Sequence, residues 1–363
     1  QNKVSLLPWW CISKNSKGFK RFMKKFIVTG GSGFVGSHLV EKLLQEGNKV
    51  LNIDKLTYAA NKRLPFDNHP DYEFMECDIC DLNHLPHCDI LINMCAESHV
   101  DNSISSPDIF EKSNVRGTLN LLNLVRGKTY NRPLFVQIST DEVYGSADCG
   151  ENFNEKAMLN PSSPYSASKA AAEMFVIAYG KTYGIEYQIT RSSNNYGERQ
   201  YPEKLIPKIL ESLDNGERIP IHGDGSYKRE WLYVKDNVDA IYEICLIGEP
   251  DINEVWNISS ENKMTNLEVV REICKWKGIE NPDDHIDFVN NRHGQDDEYS
   301  INCDKLRSIT TWKPKHDTGL FNFLGYPEIK QKVPGCLPDL RPLDRVSDVL
   351  TGSSFDSLGN QTK

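Results

Sequence analysis

The sequence contains no apolar run that approaches the roughly 20 residues of a membrane-spanning helix. It also has no excess of positive charge, because 42 Lys and Arg against 51 Asp and Glu give a formal net charge of −9. Nucleic acid recognition needs a basic surface, so this balance argues against nucleic acid as the main partner. We therefore expect a soluble, cytoplasmic protein that binds neither membrane nor nucleic acid.

The chain also lacks a second Cys-x-x-Cys pair. Its ten cysteines would indicate disulfides in a small secreted protein, but in a chain of this length and composition we interpret them as reduced thiols. The one close pair, Cys77 and Cys80, is followed by His84, His87 and Cys88. A structural zinc site needs four converging ligands, and we expect no metal here.

Acidic residues are missing from the first 25 positions, which hold seven Lys and Arg and no Asp or Glu. An acid-poor basic leader is typical of a transit sequence. We favour the alternative, a disordered basic tail over residues 1–24 that precedes the first strand.

Short apolar runs alternate with amphipathic stretches from residue 25 onward. This pattern predicts an α/β fold with a Rossmann-like, doubly wound parallel sheet, covered by helices on both faces. We expect this domain over residues 25–193 and a smaller, mixed, interleaved lobe for substrate over 194–318. The predicted strands are 25–29, 50–53, 72–75, 90–94, 134–138 and 187–190, and the predicted helices are 34–46, 107–125 and 165–183.

A glycine-rich loop follows the first predicted strand and opens the first helix, with Gly30, Gly33 and Gly36 at regular spacing. Such a loop turns tightly and lets a pyrophosphate approach the helix N-terminus. Asp54 lies eighteen positions after Gly36, at the tip of the second strand. Its carboxylate suits a ribose diol and repels a 2′-phosphate, which favours NAD over NADP.

Two further motifs carry chemistry. Ser139-Thr-Asp-Glu-Val-Tyr-Gly145 begins where the fifth strand ends, and Tyr165-Ser-Ala-Ser-Lys169 begins a helix. Tyr165 and Lys169 are four apart, so both face the same way. A neighbouring ammonium and the nicotinamide charge are expected to lower the pKa of the phenol, which would then act as a base. Asp141 and Glu142 add an acid and a base, so the pattern suggests oxidation and elimination at one sugar.

Together these motifs resemble the extended short-chain dehydrogenase/reductase family. The Thr-Asp-Glu text is similar to that of its nucleoside-diphosphate-glucose 4,6-dehydratases, and the resemblance spans roughly residues 25–316. It includes the segments Asp54–Tyr58, Ala96–Asp101, Pro161–Tyr165, Ser193–Gly197, Tyr201–Pro207, Gly223–Gly225, Arg229–Tyr233 and Arg292–Gly294.

The resemblance implies an internal redox reaction on dTDP-glucose that feeds deoxysugar synthesis, for example of rhamnose. Tyr165, with Lys169 and Thr140, would take the hydroxyl proton at carbon 4 while hydride goes to NAD. Glu142 would remove the carbon 5 proton and Asp141 would donate to the leaving hydroxyl at carbon 6, before hydride returns to carbon 6. The family is usually a homodimer that pairs the helices near 107–125 and 163–183.

The resemblance also implies a set of binding residues. The expected cofactor contacts are Gly30, Gly33, Phe34, Val35, Gly36, Asp54, Lys55, Leu56, Thr57, Asp78, Ile79, Cys95, Ala96, Glu97, Ser98, Ser113, Tyr165, Lys169 and Asn195. The expected substrate contacts are Ser98, Thr140, Asn194, Lys204, Leu205, Pro220, Ile221, His222, Arg229, Asn257, Arg292, His293 and Tyr299.

Two features depart from the family pattern. His222 occupies a position that is usually tyrosine in the dTDP-glucose enzymes, and a histidine before Gly-Asp-Gly is similar to UDP-glucose 4,6-dehydratases. The resemblance ends near Lys315, and we expect residues 319–363 to form a divergent, largely disordered tail.

Three alternatives stay open. The first is the same reaction on UDP-glucose or UDP-N-acetylglucosamine. The second is a 4-epimerase, which has no need of Asp141 and Glu142. The third is a cofactor-bound scaffold without catalysis. The presence of all five predicted catalytic residues argues against it: Thr140, Asp141, Glu142, Tyr165 and Lys169.

Overall fold

Alternating strands and helices build the chain, as the sequence predicts. The computed structural model describes residues 23–291 and 294–316. The strands are β1 (Lys25–Thr29), β2 (Lys49–Asp54), β3 (Tyr72–Glu76), β4 (Ile90–Asn93), β5 (Leu134–Thr140), β6 (Tyr187–Ser192), β7 (Asn194–Tyr196), β8 (Ile219–His222), β9 (Lys228–Tyr233), β10 (Glu254–Ile258), β11 (Lys263–Thr265) and β12 (Ile286–Val289). The α-helices are α1 (Phe34–Gln45), α2 (Val100–Ser105), α3 (Pro107–Phe110), α4 (Gly117–Arg126), α5 (Pro164–Tyr183), α6 (Leu205–Asn215), α7 (Val234–Ile244), α8 (Asn266–Trp276) and α9 (Asp304–Ile309).

Seven parallel strands form the central sheet, in the order β10-β6-β5-β4-β1-β2-β3. The predicted Rossmann-like fold is therefore confirmed, and all six predicted strands lie in this sheet. The strand order reverses at β1, which has β2 on one side and β4 on the other. A crevice opens at such a reversal, outside the carboxyl ends of the strands. The loops after β1, β2, β4 and β5 lead into it.

Apolar side chains cover both faces of the sheet because parallel strands are buried on both sides. On one face α1 and α7 pack through residues such as Leu39, Leu43 and Ile241. On the other face α4 and α5 contribute residues such as Leu121 and Val176. The two layers hold the carboxyl ends of the strands in fixed positions.

The predicted helix over 107–125 is helical throughout but not uniform. Between α3 and α4 the segment Glu111–Arg116 is a π-helix. A π-helical segment carries an extra residue in its turn and often occurs at functional sites. It buries Ser113 and Asn114 and aligns their side chains with the cleft side of the sheet.

Residues 194–316 form smaller elements and also contribute to the central sheet. β7, β9 and β11 make a mixed three-stranded sheet, and β8 pairs with β12 in parallel. β10 lies beside β6 and completes one edge of the central sheet. The boundaries at 193 and 318 stay predictions. The predicted tails, 1–24 and 319–363, lie outside the described residues except for Met23 and Lys24.

Within residues 23–291 and 294–316, no helix has the length and apolar character needed to cross a membrane.

Candidate active site

Glycines in the loop between β1 and α1 allow neighbouring segments of backbone to lie very close to each other. Gly30 has a φ of +74°, a conformation that favours glycine. A Cβ on Gly36 would lie 2.1 Å from the Gly30 carbonyl oxygen. The first turn of α1 has no side-chain cap and no acidic residue, so its amides remain available to an anion. The loop and the first turn of α1 therefore have a geometry that suits the predicted pyrophosphate site.

Asp54 ends β2 beside this loop. Its Oδ2 accepts the Ser32 amide at 3.0 Å and its Oδ1 accepts the Leu56 amide at 2.8 Å. Burial raises the pKa of Asp54, and these two amides act in the opposite direction. Each carboxyl oxygen retains a second lone pair that a ribose hydroxyl can use.

Lys55 carries positive charge into the same crevice. Its Nζ donates to Ser113 Oγ at 3.2 Å and lies 3.6 Å from Asp78 and 3.8 Å from Glu97. Three segments far apart in sequence therefore meet around one ammonium group. These contacts hold the predicted adenosine side of the cleft together.

Eighteen of the nineteen predicted cofactor residues line one cleft. Those that face it are Gly30, Gly33, Phe34, Val35, Gly36, Asp54, Lys55, Thr57, Asp78, Ile79, Cys95, Ala96, Glu97, Ser98, Ser113, Tyr165, Lys169 and Asn195. Leu56 is the exception, and it contributes its amide to Asp54.

The acid/base pair lies on a single 3₁₀ turn, Asp141–Tyr144, directly after β5. Thr140 caps this turn, because its Oγ1 accepts the Glu142 amide at 3.3 Å and donates to Asp141 Oδ1 at 3.1 Å. Asp141 is 2% exposed and Glu142 is half-buried. Asp141 Oδ2 has no hydrogen-bond partner among the residues that the structure describes. The two neighbouring carboxyls therefore have unequal surroundings.

Burial raises the pKa of Asp141 well above its usual range, and the charges of Glu142 and Glu230 act in the same direction. This shift favours the protonated form of the carboxyl. Asp141 can therefore serve as an acid beside a more solvated partner.

Tyr165 and Lys169 lie in the first two turns of α5 and reach the same cleft. The helix begins with a capping box at Ser163, which fixes its first turn. Lys169 Nζ donates to the Ile138 carbonyl of β5 at 2.5 Å. Burial lowers the pKa of Lys169 to about 8.

The expected lowering of the Tyr165 pKa is not present in the protein alone. Burial raises the pKa of Tyr165, and the negative charges of Glu142 and Asp141 raise it further, whereas a hydrogen bond with Thr140 lowers it. The prediction relied on the Lys169 ammonium together with the nicotinamide charge, and it did not include burial or the two carboxyls. A bound positive charge is needed to bring the phenol into its working range.

Four of the predicted substrate contacts lie in the cleft: Ser98, Thr140, Asn194 and Lys204. Lys204 Nζ donates to the Ser98 carbonyl at 2.8 Å. This bond joins the segment after β4 to the start of α6, so it crosses the cleft.

Four other predicted contacts lie outside the residues that line the cleft, and all four belong to the lobe built by α6 and the β8–β12 pair. Leu205 begins α6, and Pro220, Ile221 and His222 belong to β8. Ile221 is buried, and a ring nitrogen of His222 lies 3.0 Å from the Asn290 carbonyl oxygen.

The Arg229 fork is used within the protein. Its guanidinium donates to the carbonyls of Lys228 at 2.7 Å and Asp296 at 2.9 Å, and it stacks on the Tyr299 ring at 4.0 Å. The Tyr299 hydroxyl donates to Asp296 Oδ2 at 2.8 Å. Neither side chain lines the cleft, so the expected free fork toward a diphosphate is absent.

Asn257 is fully buried, which corrects its predicted role. Its Oδ1 accepts the Tyr144 hydroxyl at 2.8 Å, and its Nδ2 donates to the carbonyls of Phe153 and Asn302 at 2.9 and 3.1 Å. Because this side chain is fully buried, binds the protein and does not line the cleft, we exclude Asn257 from the substrate contacts. Arg292 and His293 lie outside the described residues.

The cleft contains residues that the prediction omitted. Examples are Gln200, Tyr201 and Glu203, which face it from the loop before α6. Tyr201 and Glu203 belong to the Tyr201–Pro207 motif, which was a signal for them. Tyr58 donates to Glu203 Oε2 at 3.1 Å, so this loop contacts the segment after β2.

No group of three or more His, Cys, Asp or Glu suitable for a metal ion occurs among residues 23–291 and 294–316.

Comparisons with known proteins agree with this geometry. The dTDP-glucose 4,6-dehydratase of Haemophilus influenzae is 41% identical over 321 residues, covering 81% of this chain and 94% of that protein. The low-salt glycan biosynthesis protein Agl12 of Haloferax volcanii is 42% identical over 296 residues, covering 80% and 93%. The crystal structure of DesIV, a dTDP-glucose 4,6-dehydratase from Streptomyces venezuelae with NAD bound, superposes with a TM-score of 0.78 at 35% identity, covering 83% and 94%. A model of GDP-mannose 4,6-dehydratase matches residues 27–319. The chain therefore belongs to the GDP-mannose 4,6-dehydratase family.

Proposed function

We propose that this protein is an NAD-dependent nucleotide-sugar 4,6-dehydratase that converts dTDP-glucose to dTDP-4-keto-6-deoxyglucose. One observation carries the proposal. Asp141 and Glu142 follow β5 directly and share a cleft with Tyr165 and Lys169. A protein that only oxidises, or only inverts carbon 4, has no use for the acid/base pair. The dTDP-glucose 4,6-dehydratases among its relatives support the choice of substrate.

The residues of the cleft fit NAD. The uncapped amides of α1 suit the pyrophosphate, and Asp54 suits a ribose diol. When bound, NAD accepts a hydride from carbon 4 of the sugar and later returns it to carbon 6. Its positive nicotinamide, together with Lys169, supplies the charge that the buried phenol of Tyr165 needs in order to ionise.

The side chains then divide the proton transfers. Tyr165 removes the proton from the hydroxyl at carbon 4, and Thr140 orients that hydroxyl. The ketone formed at carbon 4 acidifies the neighbouring proton at carbon 5, which Glu142 removes. Asp141 donates its proton to the hydroxyl at carbon 6, which leaves as water. As hydride adds to carbon 6, Glu142 returns its proton to carbon 5, and the proton that Tyr165 took from the carbon 4 hydroxyl replaces the one lost by Asp141. The raised pKa of Asp141 supports this assignment, since only a protonated carboxyl can donate.

The second candidate is the same reaction on UDP-glucose or UDP-N-acetylglucosamine. His222 favours it, because this residue stands where the dTDP-glucose enzymes usually have tyrosine.

Parallel incubations with dTDP-glucose, UDP-glucose and UDP-N-acetylglucosamine test both candidates. We expect loss of water from dTDP-glucose, measured by the mass of the product. Loss of water from a UDP sugar alone would favour the second candidate. An isomer of unchanged mass would favour an epimerase, and no conversion of any sugar would favour a scaffold.

We also propose that the protein is a homodimer and that its product feeds deoxysugar synthesis, for example of rhamnose. The support for the dimer is a set of exposed apolar side chains on the α3 and α5 helices. Ile109 is 52% exposed, Met174 47% and Phe175 37%. A second copy would cover such a surface.

A further inference from the structure

A buried ion pair links the helix that carries Tyr165 and Lys169 to the strand beside β5. Glu173 lies eight residues after Tyr165 and four after Lys169 on α5, so the three side chains share one helix face. Arg191 on β6 donates from Nη2 to Glu173 Oε2 at 2.6 Å, and its Nε lies 3.1 and 3.2 Å from the two carboxylate oxygens. Glu173 is 0% exposed and Arg191 is 3% exposed. The contact is therefore a buried, bidentate ion pair.

The same arginine continues to the acid/base turn. Arg191 Nη1 donates to the Tyr144 hydroxyl at 2.7 Å, and its guanidinium carbon lies 4.8 Å from the Tyr144 ring centroid. The Tyr144 hydroxyl in turn donates to Asn257 Oδ1 at 2.8 Å. Tyr144 is the last residue of the turn that begins with Asp141. One continuous chain of contacts therefore runs from α5 to this turn.

Strand register places the link at the end of β5. Arg191 pairs with Ser139 and Ser192 pairs with Thr140, so the guanidinium lies at the level where the strand becomes the turn. Val143 also holds the turn, because it is fully buried and its carbonyl accepts the Asn160 amide at 3.0 Å, and Thr140 caps the turn with a 3.3 Å contact. The capping box at Ser163 fixes the start of α5 independently of Arg191. The contacts of Arg191 therefore reach the turn directly at Tyr144, whereas they reach α5 at Glu173, eight residues after Tyr165.

A buried ion pair of this kind adds little net stability over apolar side chains of similar volume, because both charges lose their hydration. Its forked geometry instead fixes the direction of the groups that it joins.

We propose that Glu173, Arg191 and Tyr144 are positioning residues that align the Asp141–Glu142 pair with the Tyr165–Lys169 pair, so that elimination depends on them more than oxidation does. None of the three lines the cleft, and each acts through another side chain. This inference rests on the proposed function, because it assigns different steps to the two pairs.

The test is Tyr144→Phe, which removes one hydroxyl and keeps the ring that stacks on Phe153 at 5.2 Å. Its matched control is Tyr187→Phe, which removes the hydroxyl of another buried tyrosine near the other end of β6. Enzyme loaded with NAD is mixed with dTDP-glucose and quenched with acid, and the sugar nucleotides are resolved by mass. Rates are expressed per NAD-loaded enzyme, so that partial unfolding affects both steps equally.

We expect Tyr144→Phe to form the dehydrated product at least about tenfold more slowly, as a displacement of catalytic groups by a fraction of an ångström would cause. The oxidised sugar, which has lost two hydrogens but no water, should accumulate. Tyr187→Phe should match the wild type. A Tyr144→Phe variant that equals its control, or that loses oxidation and elimination in the same proportion, would overturn the proposal.

Thermal unfolding of the protein without substrate gives a second readout. In a double-mutant cycle, Tyr144→Phe and Glu173→Gln should be coupled, since both side chains bind Arg191. Additive changes in unfolding free energy would contradict the network. If the wild type forms no dehydrated product, the proposed function is wrong, whereas this cycle still reports on the network.

Discussion

Gly36→Ala tests the cofactor cradle through a single added atom. The new Cβ would lie 2.1 Å from the Gly30 carbonyl oxygen and 2.9 Å from Gly31 Cα. Favourable contacts between non-bonded heavy atoms need roughly 3.5 Å. Both neighbours are backbone atoms, so no side chain can rotate away. The first turn of α1 must therefore move outward from the loop.

The size of the effect follows from this overlap. Overpacking a rigid site costs about 1–3 kcal/mol. The atoms that must shift carry the amides expected to hold the pyrophosphate. If the strain is relieved by opening the cradle, NAD affinity falls by about tenfold to a hundredfold.

Titration calorimetry of NAD into cofactor-free protein measures this loss, with two glycines as internal standards. A Cβ on Gly33 would lie 3.3 Å from the Gly30 oxygen, and one on Gly127 would lie 3.5 Å from the Asn123 oxygen, an ordinary contact. We expect the loss of affinity to be largest for Gly36→Ala, intermediate for Gly33→Ala and absent for Gly127→Ala. Wild-type affinity in Gly36→Ala would refute the cradle.

The remaining predictions concern charge and assembly. Asp54→Asn should weaken NAD binding and lower the ratio of NAD affinity to NADP affinity by about tenfold or more, because the charge that repels a 2′-phosphate is removed. Titration with both cofactors measures this ratio, and an unchanged ratio would contradict the role of Asp54. Lys169 has a native pKa of about 8 against 10.5 for the free group, so activity that needs its ammonium should decline as pH rises above 8, and a flat profile would exclude it. Between pH 8 and 10.5 the unfolded chain still carries the Lys169 proton that the folded protein has lost. The unfolding free energy of the wild type should therefore rise with pH by about 1.4 kcal/mol per pH unit relative to that of Lys169→Met, as measured by urea denaturation. Met174→Glu should convert a dimer to a monomer, as measured by light scattering. A monomeric wild type would contradict the proposed homodimer.

Local patterns account for most of what the sequence predicted correctly. The cradle and the first helix are adjacent in sequence, and Tyr165 and Lys169 are one helical turn apart. Asp141 follows a strand whose apolar run is easy to recognise. These features need no knowledge of distant contacts.

Distant contacts account for what the sequence did not predict. The ion pair between Glu173 and Arg191 joins two elements, and nothing local distinguishes it from two surface charges. Arg229 and Asn257 do not have their predicted roles because both side chains are buried and their polar atoms bind the protein itself. Burial raises the pKa of Tyr165 more than the charge of either Glu142 or Asp141 does, and only the folded chain sets that burial.

Glu142→Gln separates the role of the Asp141–Glu142 pair in elimination from the role of the Tyr165–Lys169 pair in oxidation. The variant, loaded with NAD, is given dTDP-glucose, and the products are resolved by mass after an acid quench. We expect cofactor binding to persist and the oxidised sugar, still carrying its carbon 6 hydroxyl, to appear without loss of water. Dehydrated product formed at the wild-type rate would exclude Glu142 as the base that removes the carbon 5 proton.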